Sequence, residues 1–160
     1  MSRLMALSIT TGIICGIWVH VAVPLGLLSW LGFAGCTTYF ASGKHGFDGM
    51  FTAMRQNMFG VLCGMTIIFL STQFPFYGNG IVFSGFITFV MCIAAKWKYL
   101  AFIPGTFVGS FSTFAANGEW QGVVIALLIG AVIGIACDSS GGWLYKLVGK
   151  PEEEEAVEEM

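Results

Sequence analysis

Long apolar runs, separated by short polar or glycine-containing connections, dominate the chain from residue 4 to residue 137. An α-helix needs about 20 mostly apolar residues to cross a hydrocarbon layer of about 30 Å. Six runs approach this length, over residues 4–22, 24–42, 58–74, 78–95, 99–117 and 121–137. Because a membrane helix satisfies its backbone hydrogen bonds within its own segment, the pattern predicts an all-α membrane protein with six transmembrane helices.

One connection, residues 44–57, is long and more polar than the others. Within it Phe47, Met50, Phe51 and Met54 recur at helical spacing. This spacing predicts a short amphipathic helix that lies on the inner surface of the membrane.

The second and fifth predicted helices resemble each other. Residues 35–43 align with residues 109–117 at an offset of 74, with identities at one glycine, one phenylalanine and one alanine. At an offset of 70, the glycines of the third run match those of the sixth: Gly60 and Gly64 with Gly130 and Gly134.

These matches predict a duplicated three-helix unit, with one copy at about residues 4–74 and the other at about 78–148. Because three is an odd number, the second copy must cross the membrane in the opposite sense. The predicted fold is therefore a six-span membrane domain over residues 1–148, built as two inverted repeats, an architecture common among transporters and channels.

Inverted repeats often place their solute site near the midplane, where helices are interrupted at corresponding positions. Pro104 and Gly105 predict an interruption of the fifth helix, and Trp30 to Gly32 a weaker one in the second. The small and hydroxyl-bearing residues that follow could line a polar path or simply pack the helices together. The candidate path residues are Gly32, Cys36, Thr37, Thr38, Tyr39, Pro104, Gly105, Ser110, Ser112, Thr113 and Asn117.

The composition excludes several other classes of protein. The chain is 56% hydrophobic and only 10% charged, which is far below the charge content of soluble domains. Its seven basic residues are spread among apolar segments rather than gathered in a patch, so nucleic acid is not an expected partner.

Charge also predicts the orientation. With six spans and a cytoplasmic N-terminus, all seven basic residues fall on the inner side, as cytoplasmic loops require. Both termini are therefore predicted to be cytoplasmic. The basic residues are Arg3, Lys44, Arg55, Lys96, Lys98, Lys146 and Lys150.

Catalytic and metal-binding patterns are absent from the sequence. No predicted span carries an ionised residue near its centre, and no nucleotide loop, HExxH motif or nucleophile–base pair occurs. All five cysteines lie inside apolar runs, where they are expected to act as small packing residues. We therefore expect no enzyme activity, no cofactor and no metal site.

A neutral interior favours a channel or facilitator that passes a small polar or weakly anionic solute without covalent chemistry. An ion- or proton-coupled transporter is one alternative. A six-helix protomer is small, so a homo-oligomer in the lipid bilayer is expected.

The other alternative is a non-transporting scaffold. Six of the nine acidic residues lie in the last nine positions, so residues 149–160 are predicted to form a disordered acidic tail. Such a tail could recruit a cytoplasmic partner.

Residues 97–99 and the segment 104–115, together with the six-span layout and the acidic tail, resemble the small inner-membrane protein family typified by enterobacterial YcdZ. The resemblance extends over essentially the whole chain except the tail. It implies a location in the bacterial inner membrane. Because the family is a domain of unknown function, the resemblance implies no activity and supplies no site residues.

Overall fold

A computed structural model describes residues 1–149 as an all-helical bundle, and this part of the chain contains no β-strand. Two short 3-10 turns, Ala94–Lys96 and Lys98–Leu100, join the fourth helix to the fifth. The six helices are α1 (Arg3–Ala22), α2 (Ser29–Ala41), α3 (Gly46–Gln73), α4 (Asn79–Ile93), α5 (Ile103–Ala115) and α6 (Trp120–Val148). The predicted acidic tail lies, apart from Gly149, outside the described residues.

Helix length divides the six into two groups. Four segments are long and apolar enough to cross a membrane: Arg3–Ala22, Gly46–Gln73, Asn79–Lys96 and Trp120–Val148. Helices α2 and α5 have 13 residues each, which is only about 20 Å of helix. The coarse prediction of an all-α protein with six apolar helices is confirmed, but the second and fifth helices are shorter than predicted.

The predicted interruptions of the second and fifth helices lie at helix starts. Pro104 is the second residue of α5, where a proline costs no hydrogen bond because the first backbone N–H groups of a helix have no intrahelical partner. Trp30 is likewise the second residue of α2. Both helices then continue without a break, and their first and last residues are 74 positions apart.

The polar connection 44–57 does not form a separate surface helix, so that prediction is wrong. Helix α3 runs unbroken for 28 residues and includes almost all of this segment. Phe47 and Phe51 are exposed, but Ala53, Gln56 and Asn57 are buried under the neighbouring helices. Tertiary packing therefore buries a polar face that its composition alone assigns to the surface.

Helices α3 and α6 form the centre of the bundle. Helix α2 packs chiefly on α6 and α5 packs chiefly on α3, while α1 covers α6 and α4 covers α3. Only 11% of the most apolar stretch of Arg3–Ala22 and 17% of that of Asn79–Lys96 are buried in the bundle. Most of the hydrophobic surface of α1 and α4 therefore faces outward, as expected in lipid.

Glycines allow two of these contacts to bring backbones together. On the α2–α6 contact, a Cβ on Gly130 would lie 2.8 Å from Gly35 Cα. On the α3–α5 contact, a Cβ on Gly60 would lie 2.9 Å from Gly109 Cα. Both distances are shorter than real Cβ contacts, so only glycine permits this spacing of the helices.

The two glycine contacts correspond residue by residue. Gly35 and Gly109 are 74 positions apart, and Gly60 and Gly130 are 70 positions apart. The Gly35–Gly130 contact therefore corresponds to the Gly109–Gly60 contact. At the same two offsets, the contact of Gly134 with Tyr39 corresponds to the contact of Gly64 with Thr113. The α2–α6 and α3–α5 contacts therefore have the same register.

Candidate functional site

Buried polar side chains gather where α2, α3 and α5 meet. Gln56 and Asn57 are adjacent on α3 and are 1% and 0% exposed. Thr38 on α2 and Thr106 on α5 are each 1% exposed. We call these four residues the amide cluster.

Hydrogen bonds join the amide cluster across helices. Thr38 Oγ1 lies 2.9 Å from Ala34 O and 3.0 Å from Asn57 Oδ1, two acceptors for its one hydroxyl proton. Thr106 Oγ1 donates to Gln56 Oε1 at 2.9 Å. Gln56 Nε2 donates to Tyr99 O at 3.1 Å, in the turn before α5. Each amide of α3 is thus held by a hydroxyl from one of the two short helices.

The amide cluster keeps an unused donor. Asn57 Nδ2 is buried and has no hydrogen-bond partner, and the same is true of Ser112 Oγ on α5. An unpaired buried polar group costs about 1–3 kcal/mol, so such groups usually have a partner.

Close backbone packing places the two short helices against these amides. A Cβ atom on Gly105 would lie 2.8 Å from Gln56 Cβ and 2.9 Å from Thr38 Cγ2. Because Gly105 has no side chain, the first turn of α5 can approach α2 and α3 closely enough for Thr106 to reach Gln56.

A second polar contact fastens the α2–α3 turn to α6. Tyr39 Oη donates to Asp138 Oδ2 at 2.6 Å and accepts from the backbone N–H of Gly46 at 2.8 Å. His45 Nδ1 lies 3.1 Å from the same oxygen of Asp138, but its side chain is 71% exposed. Tyr39, rather than the histidine, is the buried anchor of this turn.

Residues 8–142 match the family described as a protein of unknown function (DUF1097). This chain belongs to the DUF1097 family. It is 46% identical over 145 residues to inner membrane protein YcdZ of Escherichia coli (strain K12), covering 90% of this chain and 89% of that protein. The protein of the same name from Salmonella typhimurium is 43% identical over 145 residues, covering 90% of this chain and 91% of its own length.

A more distant relative, the uncharacterized protein YahC of Escherichia coli (strain K12), is 28% identical in an alignment of 162 positions that covers 94% of this chain and 98% of that protein. No solved structure matches. The predicted family is confirmed, and two relatives carry the words inner membrane in their names.

The path residues predicted for this DUF1097 chain separate into buried and exposed groups. Thr37, Pro104 and Asn117 are exposed. Asn117 has a φ of 52° and ends α5 together with Gly118, whose N–H donates to Thr113 O, so it serves as a helix cap. The eight buried residues are Gly32, Cys36, Thr38, Tyr39, Gly105, Ser110, Ser112 and Thr113.

Only some of the buried residues come together. Thr38 belongs to the amide cluster and Gly105 packs against it, while Ser110 and Thr113 lie against Gly60 and Gly64 of α3. Gly32 instead lies under the indole of Trp18, Cys36 packs near Cys137, and Tyr39 binds Asp138. The predicted set therefore belongs to several separate contacts.

Three residues of the amide cluster were missed by sequence reasoning: Gln56, Asn57 and Thr106. A usable signal was present in α3. Ala53, Gln56, Asn57, Gly60 and Gly64 recur at spacings of three and four, which puts them on one helix face. The two amides are thus continuous with the glycine face that packs on α5.

Proposed function

We propose that this DUF1097 protein is an inner-membrane facilitator that passes a small polar solute, neutral or weakly anionic, without covalent chemistry. The observation that carries the proposal is the amide cluster with the unpaired Asn57 Nδ2. A buried donor without a partner, set among side chains that can donate and accept, suits a transient polar ligand better than it suits a static core.

The chemistry of the cluster favours a small uncharged or weakly charged solute. Its side chains are two amides and two hydroxyls, none of which is ionised. Amides and hydroxyls can replace the hydration of a molecule such as urea, glycerol or formate. A strongly charged ion would meet no compensating charge among these four side chains.

An inverted repeat is part of the proposal. Two observations support it. Helices α2 and α5 begin and end 74 residues apart, and the α2–α6 and α3–α5 contacts place glycines at corresponding positions. In such proteins, the solute site lies where short or broken helices of the two halves meet, and α2 and α5 are the short helices here. The amide cluster contains one residue from each of them.

The two halves differ at the proposed site. At an offset of 70, Asn57 corresponds to Leu127 and Gln56 to Ala126, both fully buried. The α2–α6 contact is therefore apolar where the α3–α5 contact is polar. This difference is expected if one contact provides solute binding and the other provides only support.

Other observations support the proposed location and assembly. The relatives' names and the apolar helices support an inner-membrane protein, and the arrangement of basic residues supports cytoplasmic termini. A homo-oligomer is proposed because exposed aromatic side chains line the short helices, including Phe33 on α2 and Phe107 and Phe111 on α5. Cross-linking in native membranes would test this assembly.

Solute flux into liposomes tests the proposed function. Purified full-length protein is reconstituted, and shrinking and swelling are followed by stopped-flow light scattering with urea, glycerol, formate, acetate and ammonium. We expect one class of solute to cross faster than through protein-free liposomes, without saturation. Rates equal to those of empty liposomes for every solute would overturn the proposal.

Two neighbouring threonines supply a matched pair of variants. Thr38→Val and Thr37→Val make the same nearly isosteric change on α2, but only Thr38 belongs to the amide cluster. Losing one hydrogen bond of about 0.5–1.5 kcal/mol should slow flux by about 2- to 12-fold for Thr38→Val, with no change for Thr37→Val.

Asn57→Leu provides a stronger test, because leucine is the residue at the corresponding position 127. We expect this variant to assemble normally and to lose most of the flux. Normal flux in both Thr38→Val and Asn57→Leu would refute the proposed site.

A further inference from the structure

Three cysteine thiols from three helices meet inside the bundle. Cys15 lies on α1, Cys36 on α2 and Cys137 on α6, and their Sγ atoms are all within 4.8 Å of one another. Cys36 and Cys137 are 5% and 0% exposed, and Cys15 is half-buried. All three are free thiols. We call them the thiol cluster.

The spacing suits a metal ion bound by three sulfurs. With a metal–sulfur bond of about 2.3 Å, a trigonal ion places its three sulfur ligands about 4.0 Å apart. The 4.8 Å limit on the thiol cluster exceeds this spacing by less than 1 Å. Small rotations of the cysteine side chains would close that difference without moving a helix.

We propose that the thiol cluster binds one soft, thiophilic cation of the Cu(I) class. Within residues 1–149 no histidine or carboxylate joins the three cysteines, so the ligand set consists of sulfur alone. Thiolates select soft ions such as Cu(I). Structural Zn²⁺ takes four ligands, and Mg²⁺ and Ca²⁺ take oxygen ligands, so these ions fit the cluster less well.

Binding is an exchange of three thiol protons for the metal ion. When Cu(I) enters, three sulfur–copper bonds form, three sulfur–hydrogen bonds break, and the three protons pass to water. Copper and sulfur keep their oxidation states. Three thiolates and one Cu(I) carry a net charge of −2, so affinity should rise with pH as the thiols lose their protons.

The matching α3–α5 contact shows that these helix contacts do not need thiols. At the offsets that relate the two glycine contacts, Cys36 corresponds to Ser110 and Cys137 to Ile67. The α3–α5 contact keeps the same register as the α2–α6 contact with a hydroxyl and an aliphatic side chain in those places. Close packing therefore does not require thiols at the positions of Cys36 and Cys137.

Thr11 lies beside the thiol cluster. It precedes Cys15 by one helical turn on the same face of α1, and its hydroxyl is within hydrogen-bonding reach of the Cys137 thiol. A hydroxyl at this position can donate a hydrogen bond to a metal-bound thiolate.

A competition titration tests the proposal. The full-length protein is purified in detergent, reduced without oxygen, and titrated with Cu(I) against a coloured Cu(I) chelator. We expect one bound Cu(I) per chain, and X-ray absorption should show a first shell of about three sulfur ligands with no nitrogen or oxygen. A shell of nitrogen or oxygen ligands, or failure to compete with the chelator, would overturn the proposal.

The remaining two cysteines provide the matched control. Cys63→Ser combined with Cys92→Ser changes thiols outside the cluster and should leave binding unchanged. Cys36→Ser and Cys137→Ser each remove one proposed ligand. Because even outer partners of metal ligands contribute about 10- to 100-fold to affinity, each single variant should weaken binding by more than about 100-fold.

Protection of the thiols from alkylation tests the site in the unaltered chain, so it does not depend on whether the cysteine variants fold. In the unaltered chain treated with a maleimide, bound Cu(I) should slow modification of Cys15, Cys36 and Cys137, read by mass spectrometry. The rate at the exposed Cys92 should not change. Cys15 is the partly exposed member of the cluster, so an unchanged rate of modification at Cys15 when Cu(I) is bound would refute the site.

Discussion

Replacing Gly60 by alanine should force α3 and α5 apart. The added Cβ would overlap Thr106 O and lie 2.9 Å from Gly109 Cα and Ser110 N, whereas ordinary contacts begin at 3.4 Å. Helix α5 must therefore retreat by about 0.5 Å or more, and a gap of about 0.5–1 Å forfeits a quarter to a half of the dispersion energy of each contact. Because the obstructing atoms are backbone, we expect a cost near the upper end of the usual range for overpacking, about 3 kcal/mol.

The free energy of unfolding is the quantity to measure, by titrating the purified protein from a mild detergent into SDS and following helical circular dichroism. Gly85→Ala on α4 is the control, since its Cβ would meet nothing within 4 Å. That variant should be neutral or stabilising by up to about 1 kcal/mol, because alanine favours a helix over glycine. Equal unfolding midpoints for Gly60→Ala and Gly85→Ala would refute the close backbone contact.

The corresponding position in the second half sharpens the test. A Cβ on Gly130 would lie 2.8 Å from Gly35 Cα and 3.0 Å from Cys36 N. Gly130→Ala should therefore destabilise the protein about as much as Gly60→Ala. If one of the two variants is neutral while the other is not, the two contacts are not equivalent.

Two further predictions concern single hydrogen bonds. Trp18→Phe removes an indole N–H that donates to Ser29 O at 2.7 Å, so it should cost about 1–3 kcal/mol in the same SDS titration, and an unchanged midpoint would mean that this bond does not hold α1 to α2. Tyr39→Phe removes the bond to the Asp138 carboxylate and should cost about 1.5–3 kcal/mol and speed proteolysis of the α2–α3 turn. The exposed His45→Ala should change stability by no more than about 0.5 kcal/mol, and a larger loss than in Tyr39→Phe would reverse the assignment of the anchor.

The sequence predicted the number and order of the helices because apolar runs record which segments leave water. It did not predict the length of α2 and α5. Residues 24–28 and 99–102 are nearly as apolar as the helices they precede, and hydropathy does not report where the backbone becomes helical. The first turn of α5 is set by Pro104, which is compatible with a helix start as well as with a break.

The candidate site was only partly predictable. Thr38 was identified because it lies in the matched segment 35–43, and Gly105 because it follows Pro104 at the interruption predicted in the fifth run. Gln56 and Asn57 were missed because they precede the apolar run that begins at Met58, and their burial depends on α2 and α5 covering them. Side chains on separate helices meet only through tertiary packing, so the convergence of the three thiols was not visible in the sequence either.

The pairing of α2 with α6 and of α5 with α3 bears on how the chain is made. When a ribosome has released α1 to α3, the glycine face of α2 has no partner, because α6 is the last of the six described helices to be synthesised. At 13 residues, α2 is also too short to rest stably across the lipid by itself. The α2–α6 contact can therefore form only after α6 has been synthesised, so the first three helices cannot reach their final packing before the rest of the bundle exists.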